Sequence, residues 1–181
     1  MATTTFEKAK PSNLPKAIVA EFAEKVAEHL GYEPGSNMLS LLEQLGGRIK
    51  YKEFWDLHDV GADSITIFAP SDFEIYVSSR TSPERDRFTI AHEIGHYFLH
   101  YLFRRDMDED FRNSNCGMQA TRYGSSREEW EANWFAASFL MPKSEFKEKF
   151  REFEGDVDSI ANFFRVSRAA AKIRSEVLGL A

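Results

Sequence analysis

The sequence has few features that could cross-link it or hold it in a membrane. Its 181 residues include a single cysteine, Cys116, so an intramolecular disulfide is excluded. No apolar run approaches the ~20 residues that a helix needs to cross a bilayer. The N-terminus is polar and does not resemble a signal peptide. We therefore expect a cytoplasmic protein without membrane contact.

An excess of positive charge is also lacking. The chain has 23 Lys and Arg residues against 29 Asp and Glu residues, which gives a net charge of -6 at pH 7. This balance argues against a protein that binds nucleic acid through a generally basic surface. Hydrophobic residues make up 43% of the chain and charged residues 29%. That composition and length are typical of one globular domain with an apolar core.

The most informative stretch is FTIAHEIGHYFLH, which covers residues 88–100. On a helix, His92 and His96 are one turn apart, so both imidazoles leave the same face and can share one Zn²⁺ ion. Glu93 points about 100° away from His92, where its carboxylate could hold a water molecule and take its proton. The pattern therefore predicts a zinc site in which Glu93 is the general base.

A third zinc ligand must come from another segment, because the residues after His96 do not continue the metzincin pattern HExxHxxGxxH. A helical pattern at residues 126–141 has a small, apolar face that carries Glu129 and Asn133 one turn apart. Glu129 could donate a carboxylate oxygen to Zn²⁺, and Asn133 could orient a ligand imidazole through a hydrogen bond. Glu131 points to a different side of this helix and is the alternative third ligand.

Other polar residues near these patterns are candidates for supporting the metal ligands or for stabilising an oxyanion. His100 comes two turns after His92 and would drift about 80° around an α-helix, so we expect it to support the ligands or the structure rather than bind the metal. A group that stabilises an oxyanion is also needed. The sequence does not choose among four candidates, which are Tyr97, Tyr123, Arg127 and His58.

The order of hydrophobic periodicities predicts an α+β fold. Helical spacing predicts helices at Lys16–Leu30 and Met38–Leu45, and Ser82 with Pro83 predicts the start of the HExxH helix. Alternation predicts a small, mainly antiparallel, three-stranded sheet formed by Arg48–Tyr51, Ser64–Phe68 and Asp72–Val77. The charged and polar stretch after His100 predicts a long loop up to Ser126, where a capping box with Glu129 could start the next helix.

We expect three parts along the chain. Residues 1–15 are a flexible lead-in, 16–154 a zincin-like metallopeptidase domain, and 155–181 a C-terminal helical subdomain packed on it. The last part has the outline of a helix-turn-helix. Its second helix carries basic residues that could contact DNA, but the acidic total favours packing over direct DNA binding. These basic residues are Arg165, Arg168, Lys172 and Arg174.

Taken together, these blocks resemble the ImmA/IrrE family of zinc metallopeptidases. The resemblance rests on RFTIAHEIGHYFLH at 87–100 and on EWEANWFAA at 129–137 with the following Leu-Met-Pro. It rests more weakly on Ser-Ile-Ala at 159–161 and Phe-Arg-Val-Ser at 164–167, and it spans roughly residues 39–180. It implies a gluzincin-type site, with Zn²⁺ bound by His92, His96 and Glu129, and with Glu93 as the base.

The resemblance also implies a regulatory role. Such proteins typically cleave or inactivate a helix-turn-helix repressor in phages, mobile elements or stress responses. We therefore expect a zinc-dependent endopeptidase whose substrate is a helix-turn-helix repressor encoded nearby. We find neither a separate DNA-binding domain before the peptidase nor an extended sensory domain after it, and expect a partner to supply those functions. The alternative is a zinc-holding regulator that binds a repressor or DNA without proteolysis.

Overall fold

A computed structural model of the chain describes residues 5–53, 63–121 and 125–181. In these residues a five-stranded sheet packs against helices, as expected for an α+β fold. The strands are β1 (Phe6–Lys8), β2 (Gly47–Lys52), β3 (Asp63–Ala69), β4 (Asp72–Ser78) and β5 (Gly117–Thr121). The helices are α1 (Lys16–His29), α2 (Met38–Gln44), α3 (Pro83–Gly95), α4 (Phe103–Met107), α5 (Glu109–Asn113), α6 (Arg127–Leu140), α7 (Lys143–Glu152), α8 (Val157–Phe164) and α9 (Arg168–Val177).

The strand order of the sheet is β1-β5-β3-β4-β2. The central strand β3 is antiparallel to both β4 and β5, whereas the outer pairs β1–β5 and β2–β4 are parallel. The prediction of a three-stranded, mainly antiparallel sheet is therefore wrong in the number of strands and in the direction of the outer pairs. Alternating polarity shows that a segment is a strand, but the neighbour to which its backbone bonds depends on the whole chain.

The two strands that the sequence did not reveal pair with each other. Strand β1 lies in the predicted lead-in, so the expectation of a flexible segment is wrong at Phe6–Lys8, and β5 lies in the predicted long loop. Gly117 N donates to Thr5 O (2.9 Å) and Ala9 N donates to Gln119 O (2.9 Å). Strand β5 has the sequence GMQAT, which has little intrinsic β-propensity, so its pairing with β3 and β1 determines its conformation.

The HExxH helix begins where the sequence predicts. Ser82 is the N-cap of α3, and its side chain accepts a hydrogen bond from Arg85 N (3.3 Å). After Gly95 the helix continues as a π-helix over His96–Leu102. The i→i+5 bonds of a π-helix widen each turn, so side chains four residues apart lie more nearly above one another than in an α-helix. The 80° drift expected for His100 therefore does not apply.

Helices α3 and α6 pack closely against each other. A Cβ added at Gly95 would lie 3.2 Å from three atoms of the Phe135 side chain, so a larger residue would fit only if Phe135 moved by a few tenths of an ångström. Phe135 is fully buried, and its ring stacks on Phe98 and Phe139. This close approach brings the polar faces of the two helices together.

The C-terminal helices form the expected helix, turn and helix, with Arg165 left-handed at φ 52° between α8 and α9. Ile160 and Phe164 are buried, which supports packing on the rest of the chain, whereas Ile173 and Val177 on α9 are exposed. Arg174 is buried rather than part of a basic surface. Across the described ranges, we find no helix with the length and apolarity needed to cross a membrane.

Candidate metal centre

Helices α3 and α6 bring two histidines and a carboxylate into one cluster. His92 lies in the last turn of α3, His96 begins the π-helix, and Glu129 lies in the first turn of α6. The two histidine Nε2 atoms are 3.1 Å apart. Glu129 Oε2 lies 3.3 Å from His92 Nε2, and its Oε1 lies 3.0 Å from His96 Nε2. These three residues could hold a metal ion between them.

A contact with Asn133 determines which ring nitrogen of His92 faces the cluster. Its Nδ1 lies 3.0 Å from Asn133 Oδ1 on α6. A carbonyl oxygen only accepts, so Nδ1 carries the proton and Nε2 presents a lone pair to Glu129 and His96. Asn133 thus makes the contact that the spacing of residues on α6 suggested.

The donor set fits a metal ion of the size and preferences of Zn²⁺. Zinc bonds of about 2.0–2.2 Å at tetrahedral angles place neighbouring ligand atoms roughly 3.3–3.6 Å apart, slightly further than the 3.0–3.3 Å found here. Lone pairs of two neutral imidazoles and an anionic carboxylate would repel one another at these distances unless a cation lies between them. Nitrogen and oxygen ligands of this kind are typical of catalytic zinc sites.

The ionisation of the cluster follows from burial and from the close contacts. Burial lowers the pKa of His96 to about 3, although the nearby Glu129 carboxylate favours a charged ring. Burial alone would raise the pKa of Glu129, but its close contacts with His92 and His96 outweigh burial and lower the pKa to about 2. Burial also opposes a charge on His92, yet the contact with Glu129 and the charges of Glu93 and Glu129 raise its pKa. The site thus keeps Glu129 ionised and attracts positive charge.

Glu93 lies beside the cluster and is fully buried. Its Oε2 is 3.1 Å from the hydroxyl of Ser64, at the start of β3, and that hydroxyl also lies 3.2 Å from Ala120 O. Ser64 therefore contacts both the carboxylate and the neighbouring strand β5. The sequence indicated Ser64 only as part of a strand, because nothing local relates it to a residue 29 positions away.

Glu131, the alternative third ligand, lies away from the cluster of His92, His96 and Glu129. Its carboxylate accepts hydrogen bonds from the backbone and side chain of Ser12, from Asn13 N and from Arg127 Nε. It also lies 3.0 Å from His100 Nε2. Although burial would raise the pKa of Glu131, hydrogen bonds from His100, Arg127 and Ser12 lower it to about 2. The structure thus separates the two carboxylates that the sequence left as alternatives.

The candidates for oxyanion stabilisation have different positions. Tyr97 is buried, and its hydroxyl accepts a hydrogen bond from Ser71 N (3.0 Å) at the turn between β3 and β4. Arg127 binds Glu131 and also donates to Leu14 O (2.7 Å). Both are therefore engaged in structural contacts. The other two candidates, Tyr123 and His58, lie outside the described residues.

The capping box predicted for α6 is absent from the described contacts of that helix. Ser126 occupies the N-cap position, but its side chain makes no capping hydrogen bond. Glu129, which a capping box would turn back towards Ser126, faces the two histidines instead. Contact with another helix has therefore overridden a local capping preference.

Comparison with solved structures identifies a similar fold in a Mycobacterium tuberculosis transcriptional regulator. The two share 18% sequence identity with a TM-score of 0.60, over 88% of this chain and 46% of that chain. The chain thus spans about half the length of that regulator, and the likeness shows the fold alone. No match was found among curated proteins.

A family model gives the assignment. The model of the IrrE N-terminal-like domain, which defines peptidase family M78, matches residues 68–176. The matched range includes the histidines of α3 and the π-helix together with Glu129 of α6, so the cluster lies within the region shared with the family. By sequence and by the site that it builds, the chain belongs to the IrrE N-terminal-like family of peptidases.

Proposed function

We propose that the protein is a zinc-dependent endopeptidase that cleaves, and so inactivates, a helix-turn-helix transcriptional repressor. The observation that carries the proposal is the triangle of His92 Nε2, His96 Nε2 and a Glu129 oxygen, with the Glu93 carboxylate next to it. Membership of a peptidase family supports proteolysis as the reaction. Catalytic zinc sites typically have three protein ligands, as here, and a further coordination position that is open to water or substrate.

Each of these residues has a definite task in peptide hydrolysis. When bound by His92, His96 and Glu129, Zn²⁺ supplies a Lewis acid that polarises a carbonyl and lowers the pKa of water. The Glu93 carboxylate accepts the proton of the attacking water and then gives it to the leaving amine. Ser64 Oγ, 3.1 Å from Glu93 Oε2, restricts the rotamer of this base. Asn133 keeps the lone pair of His92 directed into the site.

The sheet limits how a peptide substrate could bind. Strand β4 lies between β3 and β2, so it has no open edge with which an extended peptide could pair. The two strands at the edges of the described sheet are β1 and β2. A substrate that adds a strand to this sheet would therefore have to pair with one of these two.

A repressor as the substrate is supported by the family resemblance and by the similar fold of a transcriptional regulator. The protein itself would then act in the cytoplasm, on a repressor encoded nearby. In the alternative function, the protein binds a repressor without cleaving it. Three exposed basic residues on the C-terminal helices, Arg165, Arg168 and Lys172, are the feature that would favour DNA binding.

The decisive experiment compares wild type with Glu93→Gln on the purified repressor in the presence of Zn²⁺. The glutamine can hydrogen-bond water but cannot accept its proton, so we expect zinc binding and folding to persist while cleavage is lost. Glu128→Gln, which removes a charge next to Glu129 on the same helix, is the matched control and should cleave normally.

Three results would count against the proposal. Cleavage by Glu93→Gln at the wild-type rate would exclude Glu93 as the base. A wild type that inactivates the repressor and leaves it intact would instead favour a regulator that acts by binding. A salt-sensitive gel shift that depends on Arg165, Arg168 and Lys172 would identify DNA as the partner.

A further inference from the structure

Behind His96, a line of buried side chains leads away from the metal cluster. His96 Nδ1 lies 2.8 Å from His100 Nδ1, and His100 Nε2 lies 3.0 Å from Glu131 Oε2. All three side chains are fully buried. We call these contacts the His96–His100–Glu131 relay. The π-helix makes the first contact possible, because it places His100 against the ring of His96 with their centroids 4.9 Å apart.

The proton positions in the relay follow from its last member. Both carboxylate oxygens of Glu131 already accept from N–H groups of Ser12, Asn13 and Arg127, so the carboxylate is an acceptor and His100 Nε2–H donates a hydrogen bond to it. In neutral His100, Nδ1 is then an acceptor, and His96 Nδ1 must donate to it. The lone pair of His96 is thereby fixed on Nε2, which faces Glu129 and His92.

We propose that His100 and Glu131 are positioning residues for the metal centre, which set the tautomer and the ring orientation of His96. The proposal rests on the metal-dependent function proposed above. It assigns the two zinc histidines different supports, since Asn133 on α6 orients His92 whereas a buried carboxylate acts on His96 through a second imidazole. A carboxylate at the end of such a relay also increases the basicity of the ligand histidine.

The N-terminal segment completes the relay. Ser12 N and Ser12 Oγ each donate to Glu131 Oε2 at 2.8 Å, and Asn13 N donates to Oε1 at 2.9 Å. Asn13 has φ 57°, a conformation that asparagine tolerates better than most residues, and it lets two successive backbone N–H groups reach one carboxylate. Arg127 Nε donates to the same carboxylate at 2.9 Å. These donors hold the Glu131 carboxylate in place as an acceptor for His100.

Variants of His100 separate positioning from mere packing. His100→Leu removes the acceptor for His96 Nδ1, and we expect it to weaken zinc binding by roughly 10–100-fold. In His100→Asn, the amide oxygen can occupy the place of the lost Nδ1 and accept from His96, so affinity should return to within a few-fold of wild type. Glu131→Gln should also lose affinity, because its amide NH₂ group would face other donors. His29→Leu, at an exposed histidine of α1, is the matched control.

The test uses the full chain and Zn²⁺ itself. Zinc affinity is measured by competition with a chromophoric chelator, and circular dichroism of the metal-free variants checks that each is folded. Two-bond ¹H–¹⁵N spectra of the zinc-loaded protein show which ring nitrogen of each histidine carries a proton. We expect His96 protonated on Nδ1 and His100 on Nε2 in the wild type.

Wild-type zinc affinity in folded His100→Leu, or a wild-type His96 that binds zinc through Nδ1, would overturn the relay. Equal losses in His100→Asn and His100→Leu would also overturn it, because the restored acceptor would then have no effect. Failure of the proposed function gives a different result, in which the wild type binds zinc through the relay but leaves the repressor uncut. A wild type that binds no zinc would refute both.

Discussion

Replacement of Arg174 tests most directly whether the C-terminal helices pack on the rest of the domain or contact DNA. Its guanidinium is buried, and Nε donates to Met141 O at 3.0 Å while Nη1 lies 3.3 Å from Ser138 Oγ. A weaker contact of 3.5 Å joins Nη2 to Glu24 on α1. Burial lowers the pKa of Arg174, which shows that desolvation offsets part of what these contacts contribute. One side chain thus connects α9 to α6 and α1.

The expected cost of Arg174→Ala follows from these contacts. The change leaves the buried Met141 carbonyl without its donor, at about 1–3 kcal/mol, and removes the packing of the aliphatic stem. We expect the free energy of unfolding to fall by about 2–4 kcal/mol, which lowers the Tm of a chain of this length by roughly 4–16 °C. Denaturant titration and a thermal melt both measure the effect.

A matched control is Arg168→Ala on the same helix. The Arg168 side chain is 71% exposed and pairs with Asp158, so its loss should change stability by no more than ~0.5 kcal/mol. Equal stability of the Arg174 and Arg168 variants would refute the conclusion that Arg174 holds the tail on the domain. It would return Arg174 to the set of residues that could contact DNA.

Three further predictions concern the site and the helices that build it. Tyr97→Phe should cost about 1–2 kcal/mol in a denaturant titration, because Ser71 N loses its acceptor, yet leave kcat unchanged; a large loss of kcat would make Tyr97 the oxyanion group. Gly95→Ala should weaken zinc binding in a chelator competition, since the new methyl group would press on Phe135 at 3.2 Å; unchanged affinity would show that the helices can separate freely. Zinc at 100 times its Kd should stabilise the wild type by ~2.7 kcal/mol and the Glu129→Gln variant by far less. Thermal melts with and without a chelator measure both effects, and equal shifts in the two proteins would exclude Glu129 as a ligand.

Much of the helical framework could be predicted from local sequence. Periodicity placed α1 and α2 within a residue of their observed ends, and Ser82 with Pro83 marked the start of α3. These features depend on neighbouring residues, because capping and amphipathic spacing act within a few turns. The sheet was harder to predict. Strand β5 becomes a strand only through pairing with β3 and β1, which are distant in the sequence.

The sequence alone determined the chemical types at the site. Two histidines four residues apart with a glutamate between them, and a second helix with Glu129 and Asn133, depend only on spacing along helices. The small, apolar face that carries Glu129 and Asn133 favoured Glu129 as the third ligand, and Glu131, on a different side of the same helix, remained the alternative.

Only the tertiary structure decided which carboxylate joins the histidines. The close packing of α3 and α6 at Gly95 turns Glu129 towards His92 and His96, while Ser12 and Arg127 hold Glu131 near His100. The π-helix that places His100 behind His96 was likewise not apparent from spacing, because the predicted drift assumed α-helical turns. Ligand types are local properties of the sequence, but their partners depend on long-range packing and therefore on the fold.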